Sequence, residues 1–217
     1  MTCSPIRHIL DFLFPPRCPL CDAYVPTSGL CAPCLAKVLR PHRPDLPPAL
    51  AASAGECFAA TPYHDGVQPL IRDLKYRGKR SLLPALNVIL TASDIPLPDG
   101  IDFAVPVPLH AEKERERGFN QAEEIFRAYL AARAIPMRHA LSRTKETPPL
   151  YGLSPREREA ALQNAFTHER AIPVAGRHIL LLDDILTTGA TLTACARVLK
   201  QAGAAQIDLL VLASDRA

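Results

Sequence analysis

The chain has 217 residues, enough for one full domain and something smaller. Its 48% hydrophobic and 22% charged residues are ordinary globular composition, which excludes a disordered or collagen-like chain, and a net charge of +3 permits an anionic partner without demanding one. Six of the seven cysteines and ten of the 22 prolines crowd into the first 57 positions, which excludes a single uniform domain.

Ile6, Ile9, Leu10, Leu13 and Phe14 repeat at helical spacing ahead of Pro15-Pro16, and they predict a short amphipathic helix. Asp11 interrupts this stretch and no small-residue cleavage site follows, so it makes a poor signal peptide. No apolar run approaches the roughly 18 residues of a membrane helix. A cytoplasmic location without membrane insertion is therefore expected. In such a reducing compartment an odd number of cysteines reads as metal ligands before disulfides. Cys18-Pro-Leu-Cys21 and Cys31-Ala-Pro-Cys34 form a C-x2-C-x9-C-x2-C pattern. Each pair can curl two thiolates toward one point, and two pairs complete a closed tetrahedral shell for a structural Zn2+. A segment this short buries little core, so the metal must supply its folding energy. Cys3, Cys57 and Cys195 have no partner in sequence and read as bystanders. Residues 1–40 thus form a helix and zinc ribbon, and 41–56, rich in Pro, Ala and Ser, a linker. Residues 57–217 remain for a larger domain.

That domain alternates. Residues 58–63 predict a strand, and 69–90 helical stretches interrupted by Gly78 and Pro84. A β-branched run at 101–109 predicts a second strand, followed by a helix over 121–133. Residues 143–158 read as an exposed loop running into a charged helix start at Ser154. A buried strand over 178–183, a helix over 191–202 closed by Gly203, and a buried strand over 207–213 complete the chain. Strands alternating with helices imply an α/β fold, a parallel sheet flanked by helices.

Two stretches carry charge in a pattern. Arg72, Lys75, Arg77, Lys79 and Arg80 set five basic residues against one Asp, which fits phosphate, of a small ligand or of a nucleic-acid backbone. A solvated helix face accounts for them equally well. Tyr63 and Tyr76 nearby offer a small platform for stacking a base. The second stretch is the most informative in the chain. An apolar strand delivers Asp183 and Asp184 to its C-terminal end, where open α/β sheets bind ligands. Thr187, Thr188, Gly189, Ala190 and Thr191 follow, and a helix begins. Backbone N–H groups and threonine hydroxyls there make a phosphate cradle, and paired carboxylates suit the vicinal hydroxyls of a ribose or a hydrated Mg2+. An isolated Asp or Thr would read simply as a turn or cap residue; the whole string does not.

The string D-D-x-x-T-T-G-x-T resembles the phosphoribosyl-pyrophosphate (PRPP) motif of type I phosphoribosyltransferases. The resemblance implies that Asp183 and Asp184 hold the ribose hydroxyls and serve catalysis, while Thr187, Thr188, Gly189, Ala190 and Thr191 wrap the 5′-phosphate. Relatives acting on 6-oxopurines carry an acidic residue where this chain has Thr187, which argues against hypoxanthine-guanine chemistry. Further stretches resemble the competence protein ComF family: LFPPRC at 13–18, LIRDLKYRG at 70–78, VPVPLH at 105–110 and RERGFNQA at 115–122. This family joins a zinc ribbon to a phosphoribosyltransferase-like domain, here residues 57–217. By the same resemblance His110, Arg115 and Arg117 belong to a loop over 110–121 that binds the diphosphate of PRPP with Mg2+, although Glu112, Glu114 and Glu116 allow a solvated charge run instead. Leu150 and Ala161 stand where the family has glutamine and asparagine, in the loop that closes over PRPP, and bear on turnover more than on binding. The implied function is binding of PRPP and single-stranded DNA during DNA uptake and natural transformation, with a competence helicase as partner. The alternatives are an active phosphoribosyltransferase, passing ribose 5-phosphate from PRPP to an amine or nucleobase, and a non-catalytic zinc-ribbon adaptor.

Overall fold

In chain order, the computed structural model describes residues 15–27, 29–64, 66–145 and 154–216. The helix expected over 6–14 and the centre of the loop expected over 143–158, including Leu150, lie outside them. After the cysteine knuckles come α1 (Ala32–Val38) and a single turn, α2 (Pro48–Ala51). β1 (Cys57–Pro62), α3 (Val67–Arg77), a 3-10 turn at Arg80–Leu82 and α4 (Leu83–Ala92) follow. Next are β2 (Phe103–Pro106), α5 (Ala111–Arg117) and α6 (Gln121–Ala131). A small unit of β3 (Leu141–Arg143), α7 (Pro155–Leu162) and β4 (Phe166–His168) precedes β5 (His178–Leu186), α8 (Ala190–Gln201) and β6 (Gln206–Ser214).

The four long-range strands form one parallel sheet in the order β1-β6-β5-β2. β5 and β6 read as nearly continuous apolar runs because both of their faces are covered. Leu181, Leu209 and Val211 face Leu192, Cys195 and Leu199 of α8. On the other face Leu180, Leu182 and Leu210 meet Leu74, Leu86, Ile125 and Phe126 from α3, α4 and α6. The expected α/β architecture is therefore present. At the N-terminal end of the sheet, fully buried Asp208 accepts hydrogen bonds from the Glu56 N–H at 2.8 Å and the Gln206 amide at 2.8 Å, and pairs with His178 Nε2 at 2.7 Å. That network satisfies the buried carboxylate.

Several local features differ from expectation. Gly78 ends α3 in the left-handed region (φ +61°), whereas Pro84 sits in the first turn of α4 and starts that helix. β5 continues three residues past Asp183, so the acidic pair lies within the paired strand, Asp183 opposite Val211. The residues expected as a diphosphate loop contain the helix α5, ended by Gly118 at φ +77°. β3 and β4 form an antiparallel ribbon of three-residue strands, too short to carry a sequence period. The Pro-rich stretch is no free spacer: Leu50 is fully buried, Leu46 and Ala54 pack beside it, and His42 exchanges two 3.0 Å backbone hydrogen bonds with Ala59. It thereby covers an otherwise unpaired edge of β1. No helix among the described residues is long and apolar enough to cross a membrane.

Candidate functional site

Alternation along β5 sends Asp183 and Asp184 to opposite sides of the strand's end. Asp183 Oδ1 accepts the Asp184 N–H at 2.9 Å. The Asp184 side chain is only 2% exposed, and the Lys75 ammonium of α3 lies 2.8 Å from its Oδ2, an ion pair outside hydrogen-bond angle. Burial alone would push Lys75 down, but the charges of Asp184 and Asp183 outweigh it and hold the ammonium above its usual value. Asp183 moves well above the ordinary carboxylate range, because burial and then the Asp184 charge both disfavour its ionised form.

The turn after β5 supplies the second half of the site. Gly189, at φ +74°, caps α8, and no side-chain cap hydrogen bond is made there among the described residues. Thr187, Thr188 and Thr191 are half-buried beside the first N–H groups of α8, and a helix start of this kind favours an anion. A Cβ at Gly189 would lie 3.1 Å from Pro47 Cγ and 3.2 Å from Leu50 Cδ2, so the Pro-rich stretch braces this turn directly.

Cations arrive from three separate segments. Lys75 comes from α3. Arg117, at the end of α5, is half-buried and bonded to Gln121 Oε1; burial lowers its guanidinium and the Asp184 charge opposes that shift. Arg143, at the end of β3, is lowered by burial and countered by the charges of Cys195 and Asp183. His110 adjoins Arg143 through a backbone bridge, and its Nδ1 is buried without a hydrogen-bond partner among the described residues. Arg115 is different: its side chain is 77% exposed and 3.9 Å from Glu112, the geometry of a solvated charge run. Asn120 fixes the approach to α6, accepting the Ala122 N–H at 3.0 Å and donating to the Val107 carbonyl at 3.0 Å. Ala161 lies on α7.

The five-residue basic patch divides. Lys75 turns inward, Asp73 takes Lys79 at 2.6 Å and Arg77 at 3.2 Å, and Arg80 pairs with Glu124 at 3.1 Å while lying over the Phe119 ring. Arg72 is exposed, as is the Tyr76 ring at 68%. Tyr63 lies by Lys75 and Asp184; burial raises its phenol. The inward turn of Lys75 had a sequence signal, since it follows the fully buried Leu74 and stands four residues after fully buried Ile71, on one helical face. Arg143 carried no such signal: its strand is three residues long and its neighbours are unpatterned.

The four Sγ atoms of Cys18, Cys21, Cys31 and Cys34 all lie within 4.8 Å of one another, Cys21 and Cys31 at 3.6 Å. A tetrahedral thiolate shell with Zn–S of ~2.3 Å has an edge of about 3.8 Å, so the four thiols fit the ion. Burial pushes the Cys18 thiol up, but backbone hydrogen bonds from Cys31, Leu20 and Cys21 outweigh it and hold it at about 6. The ribbon docks at the C-terminal end of β1: Leu20 and Val38 close on Gly66, and Thr61 Oγ1 donates to the Val38 carbonyl at 2.6 Å. Cys57 and Cys195 are buried core residues at 3% and 0% exposure, remote in role from the ribbon, and burial pushes the Cys57 thiol up to about 12.

Known proteins share both halves. Residues 146–217 match the phosphoribosyl transferase domain, and residues 9–46 the double zinc ribbon domain. The chain is 30% identical to the DNA utilization protein YhgH of Escherichia coli K12, over 90% of this chain and 88% of that protein. It is 27% identical to Competence protein F of Haemophilus influenzae, over 91% and 96% of the two chains, and 28% identical to Competence protein ComFC of Bacillus subtilis, over 94% and 79%. With a four-thiol ribbon docked on a phosphoribosyltransferase-like sheet, and relatives that align along nearly its whole length, the chain belongs to the competence protein F (ComF) family.

Proposed function

We propose that the chain binds PRPP at the end of β5. The carrying observation is one acidic pair, Asp183 and Asp184, with the Lys75 ammonium 2.8 Å from Asp184, Arg117 and Arg143 feeling the charge of the pair, and the N-terminus of α8 following directly in sequence. Neutral ribose hydroxyls donate to the carboxylates, the Thr187–Thr191 turn takes the 5′-phosphate, and Arg117 with His110 takes the diphosphate, Arg115 lying at the rim. Basic side chains gathered around the pair favour an anionic ligand, and phosphates supply that charge. The acidic pair itself does not fit a divalent ion, because Lys75 already neutralises Asp184. Mg2+ would enter with the diphosphate and screen its oxygens. If PRPP turns over, Arg117 and Lys75 stabilise the charge that builds on the departing diphosphate.

The test is a PRPP titration, with Mg2+, into the wild type and an Asp183→Asn/Asp184→Asn variant. Binding is expected to weaken at least tenfold; unchanged affinity overturns the ribose assignment. Release of pyrophosphate with a panel of amines and bases decides whether transfer occurs. A second reading, single-stranded DNA binding, is favoured by relatives named for DNA utilization and competence, and by exposed Tyr76 and Arg72 beside the site. Anisotropy of a labelled strand across a salt series should show affinity falling as salt rises. A flat response removes this role.

A further inference from the structure

Lys75 is held in place before any ligand arrives. Its neighbours Ile71 and Leu74 are fully buried in the core, which fixes the face of α3 it occupies, and its ammonium lies 2.8 Å from a carboxylate only 2% exposed. Its own side chain is 22% exposed, so it stands between Asp184 and solvent. Any second cation that approaches Asp184 must expel an ammonium already paired there. A neutral hydroxyl faces no such repulsion and can add to the free lone pairs of the two carboxylates.

We propose that Lys75 is a specificity-determining positioning residue: an internal cation that makes the acidic pair select neutral vicinal hydroxyls and reject divalent metal ions. The proposal rests on the reading of this site as one for a phosphorylated ribose. It separates two roles that paired carboxylates at a strand end could each perform, sugar recognition and metal coordination, and assigns the choice to one side chain of another helix.

The experiment titrates Mn2+ alone, without PRPP, into the full-length zinc-loaded protein, followed by electron paramagnetic resonance and calorimetry. The wild type is expected to show no saturable Mn2+ site at the acidic pair. Lys75→Met should gain one, binding at least tenfold more tightly, and adding Asp183→Asn/Asp184→Asn should abolish it. Lys75→Arg, which restores the charge, should behave as wild type. Lys75→Gln, which keeps a hydrogen-bond donor against Asp184, provides the same neutralisation should the methionine variant fail to fold. Equal Mn2+ affinity in the wild type and both neutral variants overturns the proposal. A wild type that binds no PRPP, with the Mn2+ pattern intact, overturns the ribose reading and leaves the role of Lys75 as a metal-excluding cation standing.

Discussion

Substituting Gly189 by Ala tests whether the Pro-rich stretch braces the threonine turn. Two costs add. The residue sits at φ +74°, where an L side chain costs about 1–2 kcal/mol. The new methyl would also meet Pro47 Cγ at 3.1 Å, Leu50 Cδ2 at 3.2 Å and Leu186 Cδ1 at 3.4 Å. All three belong to a packed region with Leu50 fully buried, and overpacking there costs about 1–3 kcal/mol. The sum is about 2–5 kcal/mol, or a Tm lower by roughly 4–20 °C for a chain of this size. Gly176 provides the control, since it has nearly the same φ, +71°, and no atom within 4 Å of the position a methyl would take. Gly176→Ala should therefore show only the backbone cost, about 1–2 kcal/mol. Urea unfolding of both variants with zinc present measures the difference. Leu50→Ala combined with Gly189→Ala should be less than additive, because the cavity accepts the methyl. If Gly189→Ala costs no more than Gly176→Ala, Pro47 and Leu50 do not brace the turn and the reasoning fails.

Two further outcomes are expected. Stripping zinc with a chelator should loosen the ribbon while the parallel sheet stays folded, so limited trypsin digestion read by mass spectrometry should speed at Arg17 and Lys37; unchanged cleavage there would show a ribbon that folds without metal. Asp102 receives the His178 N–H at 2.8 Å and pairs with Arg177 at 2.9 Å, which hold its carboxyl below the usual range. A lowered folded-state pKa stabilises the protein above the unfolded value of about 3.9 and ceases to do so as pH falls through the folded value. Asp102→Asn should thus lower Tm at neutral pH, with the difference shrinking below about pH 4; a pH-independent Tm difference would refute the assignment.

Two motifs carried by contiguous segments were legible in the amino-acid order. Two C-x2-C knuckles place four thiols near one point because each pair closes within a single turn. The acidic pair and threonine turn were legible for the same reason, since one strand, one turn and one helix start carry them all. β5 and β6 were legible because burial on both faces leaves an unbroken apolar run. The rest needed the folded chain. The spacing from Ile71 marks the face of α3 that carries Lys75, but only packing of Ile71 and Leu74 against the sheet brings Lys75 to Asp184. Arg143 reaches the site from a ribbon whose strands pair across more than twenty residues. The Pro-rich stretch carries no period, and its role shows only in Pro47 and Leu50 lying against Gly189. Local chemistry is written in neighbouring residues, but the cations near the acidic pair come from segments far apart in the chain, joined only when the hydrophobic faces of the sheet are covered.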